Sequence, residues 1–328
     1  MQWILDIFEW AQQGLFELAV QPIMFSFGQG HLLEDGYTAT GWLLVGLIQI
    51  AIMLAIIGPL QRLRPVEAVK DVGAIRTDIL YTLLHRLGIF RVALFFSVEP
   101  LFDELFSLWR INGFGTWHID QIAAGFTDHP FISFAIYFII FDFVDYWIHR
   151  GQHGLNWWWS LHSLHHSQRQ MTMWCDNRNH LFDDLLRDCA LVVLGQLIGV
   201  GPGQFVAIVA IAQLSESLQH ANVRMHFGAI GERLWISPRF HRLHHSIGLG
   251  HERGVDGEFL NKAGRSPALG GHNFGVLLPW WDVMFGTANF ELRWDPTGVR
   301  DQVESGREYG QGFWSQQWLG VLRLIGKA

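Results

Sequence analysis

Three short histidine clusters set the first constraint on this chain. They read HRGQH from His149 to His153, HSLHH from His162 to His166, and HRLHH from His241 to His245. On an α-helix, residues i, i+3 and i+4 share a face. His149 and His153 are one turn apart. His162, His165 and His166 share a face, and so do His241, His244 and His245. Each cluster can aim its rings at one point, so the fold has to bring three separated segments to one side of the molecule.

Neutral imidazole suits zinc, copper, iron and nickel. A structural zinc takes four ligands and a catalytic one about three, so eight rings exceed the need of one ion. Two ions sharing eight or nine nitrogens is the natural division, and it leaves coordination positions open. Core or surface histidines are the plain alternative, and two repeats of HxxHH argue against it. A zinc-dependent membrane lipid hydrolase is a second alternative. The zincin pattern HExxH carries a glutamate base, whereas Arg150, Ser163 and Arg242 follow the leading histidines here. A non-catalytic membrane metal-binding protein is a third.

Composition points to a membrane. Half of the 328 residues are hydrophobic and 16% are charged. The net charge of -7 argues against a nucleic-acid partner. No linker, low-complexity tract or repeat divides the chain, so one domain over 1–328 is expected. No basic n-region with a small-residue cleavage site marks a signal peptide. Cys175 and Cys189 cannot form a CxxC site and are expected to pack as apolar residues.

Residues 41–60 carry no charge and match a bilayer core in length as a helix. Residues 131–148 make a second span. Residues 79–101 make a third, interrupted by His85, Arg86 and Arg91, to which packing roles are assigned. Residues 3–20 read as an interfacial helix with Trp3, Trp10, Leu15 and Phe16. Arg62, Arg64, Lys70 and Arg76 place the 61–78 loop inside by the positive-inside rule, and His149 then emerges on the cytoplasmic side. A single crossing by the apolar stretch 189–218 would strand the third cluster on the other side. GVGPG at 199–203 breaks that stretch, so a re-entrant hairpin is expected. The expected fold is all-α, an integral membrane bundle under a cytoplasmic histidine-rich cap, in a bacterial inner membrane.

The three boxes resemble those of the fatty acid hydroxylase/sterol desaturase superfamily of membrane di-iron enzymes. QHANV at 219–223, SPRFHRLHHS at 237–246 and WDVMFGT at 281–287 extend the likeness over about residues 130–290. The resemblance implies two irons that activate dioxygen, the co-substrate, to hydroxylate or desaturate a lipid such as a sterol or fatty acyl chain. Zinc is the competing occupant on isolation, because imidazole sites take it readily. The resemblance also adds His220 as a ligand. No GxGxxG fingerprint accompanies a strand and cysteines are too few for an iron–sulfur cluster. Electrons are therefore expected from a ferredoxin or similar carrier with its reductase, docking near Arg233, Arg239 and Arg242.

The remaining candidates lie around the boxes. Glu216, one turn before His220, is expected to hold that ring's far nitrogen. Asp145, one turn before His149, is expected to orient His149 or His153, with a helix-end contact to Arg150 as the alternative. His180, near Asp183, Asp184 and Asp188, is a candidate ligand or outer partner. His226 is a candidate ligand without a neighbouring histidine, and His272 a weaker one.

Overall fold

The computed structural model describes residues 2–115, 117, 121, 125, 128–247 and 271–328. Part of the 130–290 region, 248–270, lies outside them. The described residues hold helices and no strand. The helices used below are α1 (Gln2–Leu15), α2 (Leu33–Ile52), α3 (Val72–Arg86), α4 (Ile89–Ser97), α5 (Glu99–Ile111), α6 (Pro130–Gly154) and α7 (Asn156–His166). They continue with α8 (Leu181–Ile198), α9 (Pro202–Gln219), α10 (Gly228–Leu234), α11 (Pro238–His244), α12 (Trp280–Met284) and α13 (Phe313–Leu324).

Among the described residues, two helical stretches are long and apolar enough to cross a membrane, Gly30–Leu63 and Pro130–Gly154. The first shows its side chains outward: Leu47, Ile48, Leu54 and Ile56 are exposed. A face of that kind belongs in lipid, since water-soluble chains keep large apolar patches off their surface. The expected span 79–101 is not one helix. Gly88 adopts the left-handed region at φ 77° and separates α3 from α4. A second interruption at Val98 separates α4 from α5.

The chain forms two compact units, Met1–Leu54 with Leu83–Phe114, and Ala55–Thr82 with Gly115–Ala328. In the first, the Gln12 amide donates to the Tyr37 carbonyl at 2.9 Å, and Phe16 meets Tyr37 edge-on. Arg86 donates to Gln49 at 3.0 Å, and the Arg91 guanidinium lies 3.8 Å from the Trp42 ring centre. A Cβ on Gly46 would fall 1.7 Å from the Arg86 carbonyl oxygen, so only glycine permits this approach.

The second unit is built on α6 and the α8–α9 pair. Tyr137, Phe138, Phe141 and Ile148 pack against Leu191, Ile208 and Ala212. The break expected at GVGPG is present, between two helices of 18 residues each. Gly199 ends α8 at φ 71°, and Pro202 starts α9 in the first turn, where proline costs no hydrogen bond. The 61–71 loop folds onto the same unit. Asn222 accepts from the Val66 and Glu67 amides, Arg64 O accepts from the Arg224 amide, and Glu67 pairs with Arg242 at 3.0 Å.

Candidate metal centre

The centre forms where four helix ends meet. α6 carries His149 and His153 in its last two turns. α7 then supplies His162, His165 and His166. His220 caps the C-terminus of α9. Ser237 caps α11 by accepting from the Phe240 amide at 3.2 Å, and Pro238 fills the first turn. That start sets the phase of His241, His244 and His245. The SPRFHRLHH string is thus a capped helix whose one face is all imidazole.

The structure brings nine histidines together. Ligand atoms of His149, His153, His162 and His166 lie within 4.8 Å of one another, and so do those of His165, His220, His241 and His245. His166, His244 and His245 form a third set that joins the two. None of the nine is more than 8% exposed. Burial, together with neighbouring imidazoles, holds His165, His166, His241 and His245 well below their ordinary value near 6.5. Burial lowers His220 as well. Neutral rings with free lone pairs are what a transition metal takes.

Geometry tests the fit to metal. The Nε2 atoms run His165 to His220 at 3.1 Å, His220 to His241 at 3.0 Å and His241 to His245 at 3.1 Å. Two nitrogens bound at right angles about 2.1 Å from one ion lie about 3 Å apart. The far nitrogens decide the tautomers. His149 Nδ1 donates to the Phe274 carbonyl at 2.8 Å, His244 Nδ1 to His272 O at 2.7 Å and His220 Nδ1 to Glu216 O at 2.8 Å. Carbonyls only accept, so these rings carry their proton on Nδ1 and turn a bare Nε2 inward. His162 Nδ1 does the same to the Asp183 carboxylate at 2.8 Å. The donor set fits two transition-metal ions.

The outer partners correct several expectations. Asp145 does not orient His149 or His153. It receives both arms of Arg187, at 2.8 and 3.0 Å. Nor does the Glu216 side chain hold His220; it accepts from Arg187 at 3.2 Å, and the Glu216 backbone carbonyl does the holding. A backbone acceptor one turn back is always present at a helix end, so no carboxylate is needed there.

His180 lies outside all three histidine sets. It caps α8, with Nδ1 accepting from the Phe182 amide and Nε2 donating to Gln317 O. His226 also lies outside them, its Nδ1 accepting from the Gly228 amide. His272 contributes its carbonyl. Arg239 and Arg242 are buried, bound to Glu232 and to Asp295 O, and so offer no docking patch; Arg233 is exposed. Cys175 is buried, and Cys189 lies away from the histidine sets.

Two supports escaped the sequence reading. Asp183 accepts from Gln152 and Trp158 on one oxygen and from His162 on the other. Its only signal was a carboxylate in the first turn of a helix beside the boxes. The HNFG segment is the other. Asn273 sits at φ 61° and is bound to Phe240 O and Asn289, while Asp282 accepts from the Phe274 and Gly275 amides. These bonds fix the carbonyls that receive His149 and His244.

The matches to known proteins fall on this same assembly. Residues 134–287 match the family model described as fatty acid hydroxylase. That match covers just under half of the 328 residues. The chain is 28% identical over 261 residues to ornithine lipid hydroxylase OlsE of Rhizobium tropici, covering 77% of this chain and 70% of that one. It is 25% identical over 158 residues to an alkylglycerol monooxygenase of Caenorhabditis elegans, covering 47% of this chain and 26% of that one. No solved structure matches. The matched region contains all nine clustered histidines and the four acceptors behind the rings, Asp183 and the carbonyls of Glu216, His272 and Phe274. These matches support an oxidoreductase acting on lipid, and the pair of apolar spans supports a membrane protein.

Proposed function

We propose that the protein is a dioxygen-dependent di-iron monooxygenase that hydroxylates a C–H bond of a polar membrane lipid. The observation that carries this is the gathering of nine buried histidines into two sets of four joined through His166, His244 and His245. Iron, when bound, supplies the activation of dioxygen and the oxidation of the C–H bond. The chain's own residues do the rest. His149, His153, His162, His166 and His244 would hold one ion, and His165, His220, His241 and His245 the other. Asp183 and three carbonyls hold the protons on Nδ1. The buried Phe274 ring packs against His149, His153 and His244 and excludes water there.

Hydroxylation is preferred over desaturation because both relatives are named for oxygen insertion, one on ornithine lipid and one on alkylglycerol. Ornithine lipid is accordingly the first substrate to test. Residues 1–328 are read as one membrane domain carrying the catalytic region 130–290. The basic 61–71 loop is bound to the same unit as the histidines, which supports a site on the cytoplasmic face, here of a bacterial inner membrane. Electrons are assigned to a ferredoxin-like carrier and its reductase.

The test is anaerobic reconstitution with ferrous iron, followed by isotopically labelled dioxygen, lipid, carrier and reductase. The expected result is two irons per chain and one labelled oxygen in the lipid. One ion or fewer overturns the dinuclear reading. Lipid hydrolysis with a zinc-loaded sample would establish the hydrolase in its place. Turnover from NAD(P)H with no carrier would overturn the electron assignment.

A further inference from the structure

The irregular segment 274–287 and helix α10 carry a feature the metal chemistry does not use. They reach far down α6. Asp142, seven residues or about 10 Å of helix before His149, accepts from the Leu277 and Leu278 amides and from the Trp281 indole. Phe138, one turn deeper, stacks on Trp235 at 5.7 Å. Phe143 and Trp147 pack on Trp281 and Phe285 at 4.8 and 4.9 Å. These contacts lie along the candidate span Pro130–Gly154.

The outer side of this segment is apolar and bare. Ile230 is 77% exposed and Met284 66%, with Leu234, Trp280 and Val283 also exposed between them. The Trp280 indole donates to Arg233 O, which joins the two short helices into one face. Meanwhile the backbone spends its polar groups inward. Ile236 N donates to Leu277 O, the 277 and 278 amides go to Asp142, and the 274 and 275 amides go to Asp282. The Thr287 and Ala288 amides take Asp282 O. Non-helical backbone is tolerated at membrane depth only where the protein satisfies it. A water-facing loop has no need of this arrangement.

We propose that α10 and α12, with the 276–286 segment between α6 and solvent, insert into the acyl layer of the leaflet beside α6. The occupant of the apolar face is lipid. The cap is then a wedge in the membrane as well as a lid above it, and a lipid can reach the histidines sideways from the leaflet. The inference rests on reading Pro130–Gly154 as membrane-embedded.

Nitroxide accessibility tests it on the full chain in vesicles of phosphatidylethanolamine and phosphatidylglycerol. Single cysteines replace Ile230, Met284, Ala135 and Glu308 in a Cys189→Ser background, with Cys175 buried and left in place. Ala135 is an exposed residue of the span Pro130–Gly154 and Glu308 an exposed polar control. Labels at 230 and 284 are expected to collide with oxygen and be shielded from a nickel chelate, as at 135 and unlike 308. If 135 is shielded but 230 and 284 behave like 308, the wedge is overturned while the span reading stands, and the face is left for a protein partner. If 135 also behaves like 308, the membrane reading of this span falls and the wedge with it.

Discussion

The two halves of the histidine cluster are held in different ways. In one half, protein acceptors fix the rings from behind: Phe274 O takes His149, Asp183 takes His162, and His272 O takes the adjoining His244. In the other, among the described residues, only His220 has such an acceptor, on its own helix. Nδ1 of His165, His241 and His245 is buried without a hydrogen-bond partner among the described residues, while their Nε2 atoms crowd to about 3 Å. The first half is preorganised by the fold. The second would take its order from sharing an ion, because four lone pairs facing one point repel until a cation lies between them.

The largest effect tests both halves at once. His244→Ala and His165→Ala should each abolish turnover, a loss beyond the 10–100-fold typical of an outer partner. Circular dichroism should stay unchanged, since the α6–α9 packing does not include these rings. The iron count should drop toward one in each variant. Near-normal turnover in either would remove that residue from the ligand set.

Asp183→Asn separates the halves. One carboxylate oxygen takes two donors and the other takes His162, so an amide must turn an N–H toward one of them. Iron affinity should fall by about 10–100-fold at one of two sites, the other staying tight. Iron titration with elemental analysis reads this directly. Equal weakening of both sites would break the comparison.

The sequence carried the site better than the membrane architecture, for a physical reason. A ligand helix must repeat at i, i+3 and i+4, so the boxes could be read without a fold, and His220 came with the resemblance. The α8–α9 break was legible because GVGPG cannot continue a helix. The break at Gly88 was not, since a glycine inside an apolar stretch is tolerated as often as it turns. Asp145 and Glu216 were placed on the right helix faces but given the wrong partner. Arg187 arrives from another helix, and no spacing rule reports a contact made through the fold. The same holds for Asp183 and the carbonyls of 272 and 274, whose direction depends on Asn273 and Asp282.

Acid should loosen the iron-free cluster through buried rings of both halves, His166 among them. Folded His165, His241 and His245 lie well below the ordinary 6.5, so the unfolded chain binds more protons once the pH falls near that value. Stability from these groups is therefore present above about pH 6.5 and lost below it. The Tm of the iron-free protein should drop between about pH 7.5 and about pH 5.5, and iron should flatten the slope, because bound rings cannot protonate. A flat Tm in iron-free protein would mean that the cluster is held by something other than neutral rings.

The smallest effects belong to the histidines outside the cluster, and they sharpen the comparison by bounding it. His180 spends both ring nitrogens on structure, one as the cap of α8 and one on Gln317 O, and its ring fills the space beside Gly320. His180→Ala should cost about 1–2 kcal/mol of stability, the range for a lost cap, with turnover per folded protein unchanged. His226 has one weak link, from the Gly228 amide. Its alanine variant should stay within about 0.5 kcal/mol of the parent, as surface changes do. Thermal unfolding gives the first quantity and iron content the second. Two irons retained in both variants would close the ligand set at nine. A lost iron in either would mean that a ring now bonded to backbone swings inward when metal binds, and that the protein anchors its second half from farther away than the present contacts suggest.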